Sequence, residues 1–349
     1  CGARMLCATC PIRGGGATCR IEPIEPRPGL CSMPKWSGPM LSEGRIVGAS
    51  GKDWLDFDQQ IDLLRERGLE VEDDEECIRF LQNVGYYRLS GYFRYWQKDP
   101  AHQGNTFKNG ATFNQVRELY LADRRLADGL AGTLRKVEVA LATRFAHAYG
   151  REVAEEGGLA RGQGFTLPSN PETPPVDFFV CRDLDRSKEP FIEHYRDKIP
   201  GGVPSADAYD RLPVWVAVCV LSFGTLSRCL AASGESGVLN AVAESVGVKR
   251  RYFDSQVRSL VYLRNRIAHH ARLWNHIVTN SPGMAPNIRR RMQQNRGAYA
   301  PQSVYEVCVV LSMLAEGLGV VDAGYLDRID ESLKSHDELN MGLRHPKKC

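Results

Sequence analysis

The sequence has no apolar run of the roughly 20 residues that a membrane-spanning helix needs. Its longest runs, Leu212 to Gly224 and Val307 to Val321, fall short, and the second is interrupted by Glu316. Met5 to Cys10 is too brief for the apolar core of a secretory signal, so a cytosolic protein with no membrane partner is expected. Alternating strand patterns are scarce, and no repeat of 20–50 residues is visible, which argues against sandwiches, barrels and solenoids. Paired metal-ligand spacings are also missing. Five of the eleven cysteines lie in the first 31 residues, but only Cys7-x-x-Cys10 is close enough to share a zinc ion, and no second pair completes a tetrahedral set. Cys77, Cys219, Cys229 and Cys308 sit in apolar stretches and are expected to be reduced core residues. Clustered carboxylates for metal-assisted or nucleotidyl-transfer chemistry are lacking, since Asp73-Asp74-Glu75-Glu76 reads as a charged helix start. No metal and no cofactor is expected.

Net charge is low, at +3, until it is divided along the chain. Residues 1–50 hold six basic and three acidic residues, so the remainder is neutral. Within that remainder, 249–296 carries eleven cations against the single acid Asp254: Lys249, Arg250, Arg251, Arg258, Arg264, Arg266, Arg272, Arg289, Arg290, Arg291 and Arg296. Such segregation suits a polyanion-binding surface, because each cation near a phosphate releases a condensed counterion. It is equally compatible with a solvated basic face.

Residues 1–50, rich in glycine and proline and beginning with Cys1, have no sustained apolar period and are expected to form a disordered tail. Helical spacing begins at Phe57, Ile61 and Leu64 and stops at Gly68, and Asp73 or Asp74 can cap a second helix toward Tyr86. The clearest helix runs from about Thr112 to Tyr149. Further helices are expected over Val214 to Leu230, Val238 to Val246, Tyr252 to His270 and Val304 to Leu318. The architecture predicted is all-α, with a tail (1–50), a small helical cap (51–110), a helical body (111–335) and a C-terminal tail (336–349).

Chemistry concentrates on the helix ending at His270. Arg264 and His269 stand five residues apart, roughly 7.5 Å along the helix and about 140° around it, so one straight helix presents them poorly to one phosphate. Two copies meeting across a two-fold axis would place both pairs at a common cleft, so a homodimer is expected. An imidazole that exchanges protons near neutral pH and a guanidinium that grips phosphate oxygens suit RNA transesterification. Arg-x4-His alone is weak, and a core histidine beside a salt-bridged arginine explains it as well.

The wider run Arg264-Asn265-x3-His269-His270-x-Arg272-Leu273-Trp274-Asn275 resembles the HEPN Arg-Asn-x3-His signature in the form found in Abi (abortive infection) proteins of the AbiD and AbiF type. Other blocks follow in family order. They are Leu64-x2-Arg67-Gly68-Leu69, Tyr86-Tyr87-Arg88-Leu89-Ser90-Gly91-Tyr92, Asp123-x-Arg125-Leu126 with Glu138 and Arg144, Pro213-x-Trp215, and Ser222-Phe223-Gly224. The resemblance implies a HEPN-type helical bundle, a dimer with a composite site, metal-independent endoribonuclease activity, and a role in phage defence or toxin–antitoxin control. RNA is the implied substrate, with a small noncoding RNA as a further partner. On this sequence Arg264 would stabilise phosphate, Asn265 would orient, and His269 or His270 would act as acid or base. Arg266, Arg272, Arg289, Arg290, Arg291, Arg296, Lys249, Arg250 and Arg251 are the candidate RNA-binding cations. A non-catalytic RNA-binding protein using the same basic surface is the alternative.

Overall fold

The computed structural model describes residues 54–100, 104–197 and 206–347, and every helix in it belongs to the unit that begins at Asp56. The expected 1–50 tail, with Cys7 and Cys10, lies outside the described residues. Among those described there are fourteen α-helices and no strand, as the scarcity of period-two patterns led us to expect.

Local signals start the first helices. Asp56 and Gln59 form a reciprocal capping box for α1 (Phe57–Glu66), which buries Ile61 and Leu64. The Asp73 carboxylate accepts the Glu76 N–H at the start of α2 (Asp74–Val84). α3 (Tyr86–Trp96) turns Leu89, Tyr92, Phe93 and Trp96 inward. α4 (Phe113–Glu152) starts at a second capping box, Thr112 with Gln115, and runs for 40 residues, about 60 Å at 1.5 Å per residue. Its buried stripe Val116, Leu119, Asp123, Leu126, Leu130, Leu134, Val137, Leu141 and Phe145 keeps helical spacing throughout.

α4 is the spine on which α3, α7, α8, α9, α10, α12 and α14 pack. After it come α5 (Val176–Arg186), α6 (Pro190–Tyr195), α7 (Val214–Ala217), α8 (Phe223–Ala232), α9 (Val238–Ser245) and α10 (Arg250–Ala268). α11 (Pro286–Arg296), α12 (Val304–Gly317), α13 (Tyr325–Lys334) and α14 (Asp337–Arg344) complete the order. α12 buries residues on nearly every side, from Val304 to Ala315, which accounts for one of the two long apolar runs. No helix among the described residues is long and apolar enough to cross a membrane.

Three expectations need correction. Val214 to Leu230 is not one helix but α7 and α8, separated by a turn. The break is set by Asp183 of α5, whose buried carboxylate accepts the Ser222 N–H at 2.9 Å and the Thr225 hydroxyl at 2.6 Å, while the Ser222 hydroxyl accepts the Thr225 N–H. Burial pushes the Asp183 carboxyl up, but these hydrogen bonds outweigh it and hold it below its ordinary value. Within the expected 336–349 tail, residues 336–347 are not simply a tail, since α14 docks on α4, α12 and α13 and buries Leu339 and Leu343. Cys219, expected in the core, is exposed, whereas Cys77, Cys229 and Cys308 are buried thiols.

Candidate functional site

The site is built from the way α10 ends. Phe253, Val257, Leu260 and Leu263 anchor the helix in the core, and Arg258, Asn265 and His269 lie on its exposed side. Helical bonding closes with His269 N–H to Asn265 O at 2.9 Å, His270 N–H to Ile267 O at 2.9 Å and Ala271 N–H to Arg266 O at 2.8 Å. His270 takes the left-handed conformation, φ 53°, usually left to glycine at a helix end. A side chain there costs about 1–2 kcal/mol and persists only where the surroundings fix it.

What fixes it is Asp123 of α4, a fully buried carboxylate on the core stripe between Leu119 and Leu126. Its Oδ2 accepts the Tyr92 hydroxyl at 2.6 Å, the Arg124 guanidinium at 2.8 Å and the Leu273 N–H at 3.1 Å. Oδ1 accepts the Trp274 N–H at 2.9 Å. Burial and the neighbouring Asp123 carboxylate push the Tyr92 phenol far above its ordinary value, so it remains a donor. Trp274 stacks on Tyr92 with ring centroids 5.7 Å apart and donates its indole N–H to Glu338 O of α14 at 2.7 Å. Gly342 of α14 is required for that approach, because a Cβ there would stand 2.2 Å from the Trp274 indole nitrogen. Asn275 accepts the Lys347 N–H at 2.6 Å, so the C-terminal segment is part of the clamp.

Four guanidiniums hold backbone carbonyls at this turn. Arg88 donates to His270 O and Arg124 to Ala271 O, each at 3.0 Å. Arg266 donates through Nε to Arg272 O at 3.2 Å, and Arg272 donates to Gly91 O while lying 5.6 Å from the Trp274 ring centroid. Asp123 forms an ion pair with one of them, Arg124. His269 and His270 project, exposed, from this arginine-rich turn.

Arg264 points elsewhere. Its guanidinium meets the Glu138 carboxylate of α4 at 3.2 Å and the Asn265 side-chain oxygen at 2.9 Å, and it lies 5.8 Å from the Phe223 ring centroid of α8. Its Nε is buried with no acceptor among the described residues. No hydrogen bond joins Arg264 to either imidazole. Arg264 turns to Glu138 and Phe223, whereas His269 and His270 are exposed.

The other basic candidates do not gather at this turn. Lys249, Arg250 and Arg251 stand at the opposite end of α10, about 27 Å away along the axis. There Arg250 donates to Gly234 O at 3.2 Å and Arg251 lies over the Tyr252 ring. On α11, Arg289 pairs with the buried Glu306 at 2.7 Å, and Arg296 with Asp327 and Asp330, while Arg290 and Arg291 face outward. Arg266 and Arg272 are engaged by backbone.

Sequence reasoning passed over His276. Its Nε2 lies 2.7 Å from the Tyr262 hydroxyl with the rings stacked, and burial, then Arg266 and Arg272, push the imidazole down to about 4. Asp123 also deserved more weight, since a carboxylate in the core register of an amphipathic helix must find donors. Among the described residues no group of three or more His, Cys, Asp or Glu side chains is placed to hold a metal ion.

The described residues form an all-helical unit with an exposed pair of histidines on an arginine-braced turn. The family model for Abi-like proteins matches residues 79–275, more than half of the chain, from within α2 through Asn275. The chain belongs to the Abi-like family, whose name points to abortive infection. No curated protein and no solved structure matches it.

Proposed function

We propose that this chain is a metal-independent endoribonuclease of the HEPN superfamily, of the AbiD/AbiF type, acting in the cytoplasm in an abortive-infection or toxin–antitoxin system. The observation that carries the reading is the fixed turn at the end of α10. His269 and His270 are exposed there, among guanidiniums held by backbone and by Asp123. In the reaction a histidine, His269 by its place in Arg-Asn-x3-His, takes the proton of an RNA 2′-hydroxyl. The 2′-oxygen then forms a bond to phosphorus as the P–O5′ bond breaks. Arg264 stabilises the charge on the non-bridging oxygens, and a second imidazole returns a proton to the 5′-oxygen. Because Arg264 and His269 diverge within one chain, the complete site is assigned to a homodimer in which the two α10 ends face one cleft.

One observation favours a second reading, a protein that holds RNA without cutting it: Arg264 is already paired with Glu138. Purified protein incubated with end-labelled RNA in EDTA separates the two. Cleavage to 2′,3′-cyclic phosphate and 5′-hydroxyl ends, abolished by 2′-deoxy substitution at the cut and by His269→Ala, supports the nuclease. Dependence on Mg²⁺ with 5′-phosphate products, or binding with no cleavage, rejects it.

A further inference from the structure

A second concentration of unspent chemistry lies where α5 meets α8, outside the 249–296 segment. Phe178 and Phe179 pack edge to face at 5.4 Å, and Phe178 remains 52% exposed. The Arg228 guanidinium of α8 lies 4.2 Å from the Phe179 ring centroid, and that of Arg182 lies 5.2 Å from it. Arg182 and Arg186 each reach one oxygen of Asp183 at a long 3.4 Å, and the other oxygen of that carboxylate is taken by Ser222 and Thr225. Among the described residues no carboxylate pairs with Arg228. Arg182 and Arg186 thus share one buried negative charge, and Arg228 adds a third exposed guanidinium beside them.

Stacking on a ring holds a guanidinium in place without using any of its N–H donors. Arg228 is exposed and lies over the Phe179 ring, beside the half-exposed ring of Phe178. The complement is a chain that offers a phosphate and a flat π-face together. A single-stranded nucleic acid does so at every nucleotide, a duplex hides its base faces, and an acidic peptide would leave Phe178 bare.

We propose that the α5–α8 patch binds single-stranded nucleic acid, with a base stacked on Phe178 and the adjoining phosphates held by Arg228 and Arg182. It takes from the proposed function only that the polymer is a nucleic acid. Phe223, which lies under Arg264, precedes Arg228 on α8 by five residues, so the patch stands about 7.5 Å along that helix and about 140° around it. The patch therefore faces away from the Arg264 side of α8.

The test uses the full chain and a fluorescein-labelled oligodeoxythymidine of about fifteen nucleotides. Without 2′-hydroxyls it cannot be cut by the chemistry assigned to α10, so its anisotropy reads binding alone. Phe178→Ala is expected to weaken binding roughly five- to 150-fold, the span for one lost base stack. Arg228→Gln should reduce the log–log salt slope by about 0.7. Arg228→Lys should restore the slope but not the full affinity, because the ammonium lacks the fork. Both side chains are on the surface, and unchanged melting curves show the fold is intact. The inference is overturned if Phe178→Ala and Arg228→Gln bind as the wild type does. It is also overturned if polyglutamate displaces the oligonucleotide equally well from wild type and Phe178→Ala. Failure of the ribonuclease reading would appear differently, as absent RNA cleavage with the patch-dependent binding preserved.

Discussion

Replacing Asp123 with asparagine changes one atom and separates positioning from packing. In the native protein Oδ2 receives three donors, from Tyr92, Arg124 and Leu273, and Oδ1 receives the Trp274 N–H. An asparagine can place its oxygen at the three-donor end only by turning its NH2 toward the Trp274 N–H, donor against donor. One buried backbone N–H is then unpaired, at about 1–3 kcal/mol. The three remaining bonds lose their charge assistance, which contributes roughly another 1 kcal/mol. The sum, about 2–4 kcal/mol, is a large share of the roughly 5–15 kcal/mol that stabilises a folded domain. Urea unfolding followed by tryptophan fluorescence measures it, and hydrogen exchange at the Leu273 and Trp274 amides locates it. Asp123→Ala, with every donor orphaned, should be worse. If Asp123→Asn stays within about 0.5 kcal/mol of wild type and both amides remain protected, Asp123 does not hold the turn.

Gly342→Ala should displace the Trp274 ring and cost about 1–3 kcal/mol, read as altered near-ultraviolet dichroism with helix content kept. Arg289→Ala should destabilise by about 3 kcal/mol because it strands the Glu306 charge, whereas the Arg290→Ala/Arg291→Ala pair should leave unfolding unchanged and flatten the salt dependence of RNA binding. With its pKa near 4 in the fold and near 6.5 unfolded, His276 binds more protons in the unfolded chain between those values. Stability should therefore fall as pH drops from about 6.5 toward 4, and His276→Asn should flatten that limb. Arg264→Ala and His269→Ala protomers, each inactive, should recover cleavage when mixed if the proposed site is shared between copies. Recovery from neither mixing nor co-expression would speak against a simple complementing dimer.

The parts of the fold legible in sequence were those whose signals are local. α4 declares itself through its apolar period, α1 through the spacing of Phe57, Ile61 and Leu64, and α2 through Asp73. α11 has no fully buried residue to mark a period; Ile288 and Met292 pack partly buried against the core, and ion pairs to Glu306, Asp327 and Asp330, which no spacing rule reveals, help to hold it. The break before α8 depends on Asp183, 39 residues earlier. At the candidate site, the divergence of Arg264 and His269 followed from helix geometry alone. That Arg266 and Arg272 brace the backbone did not follow, because an arginine held by carbonyls and one facing solvent look alike in a charge count. Asp123 was readable in part, since its place between Leu119 and Leu126 put a carboxylate where only a well-bonded one survives.

The clamp of α14 on Trp274 also orders events in time. Asp337 follows His270 by 67 residues (337 less 270). At roughly 5–20 residues per second, several seconds of translation separate the appearance of the histidines from the arrival of the helix that braces them. During that interval Trp274 has no Glu338 carbonyl to meet and no Gly342 to pack against. The turn is left to Asp123, Arg88 and Arg124, so a chain still being made carries the histidine pair before it carries the finished site.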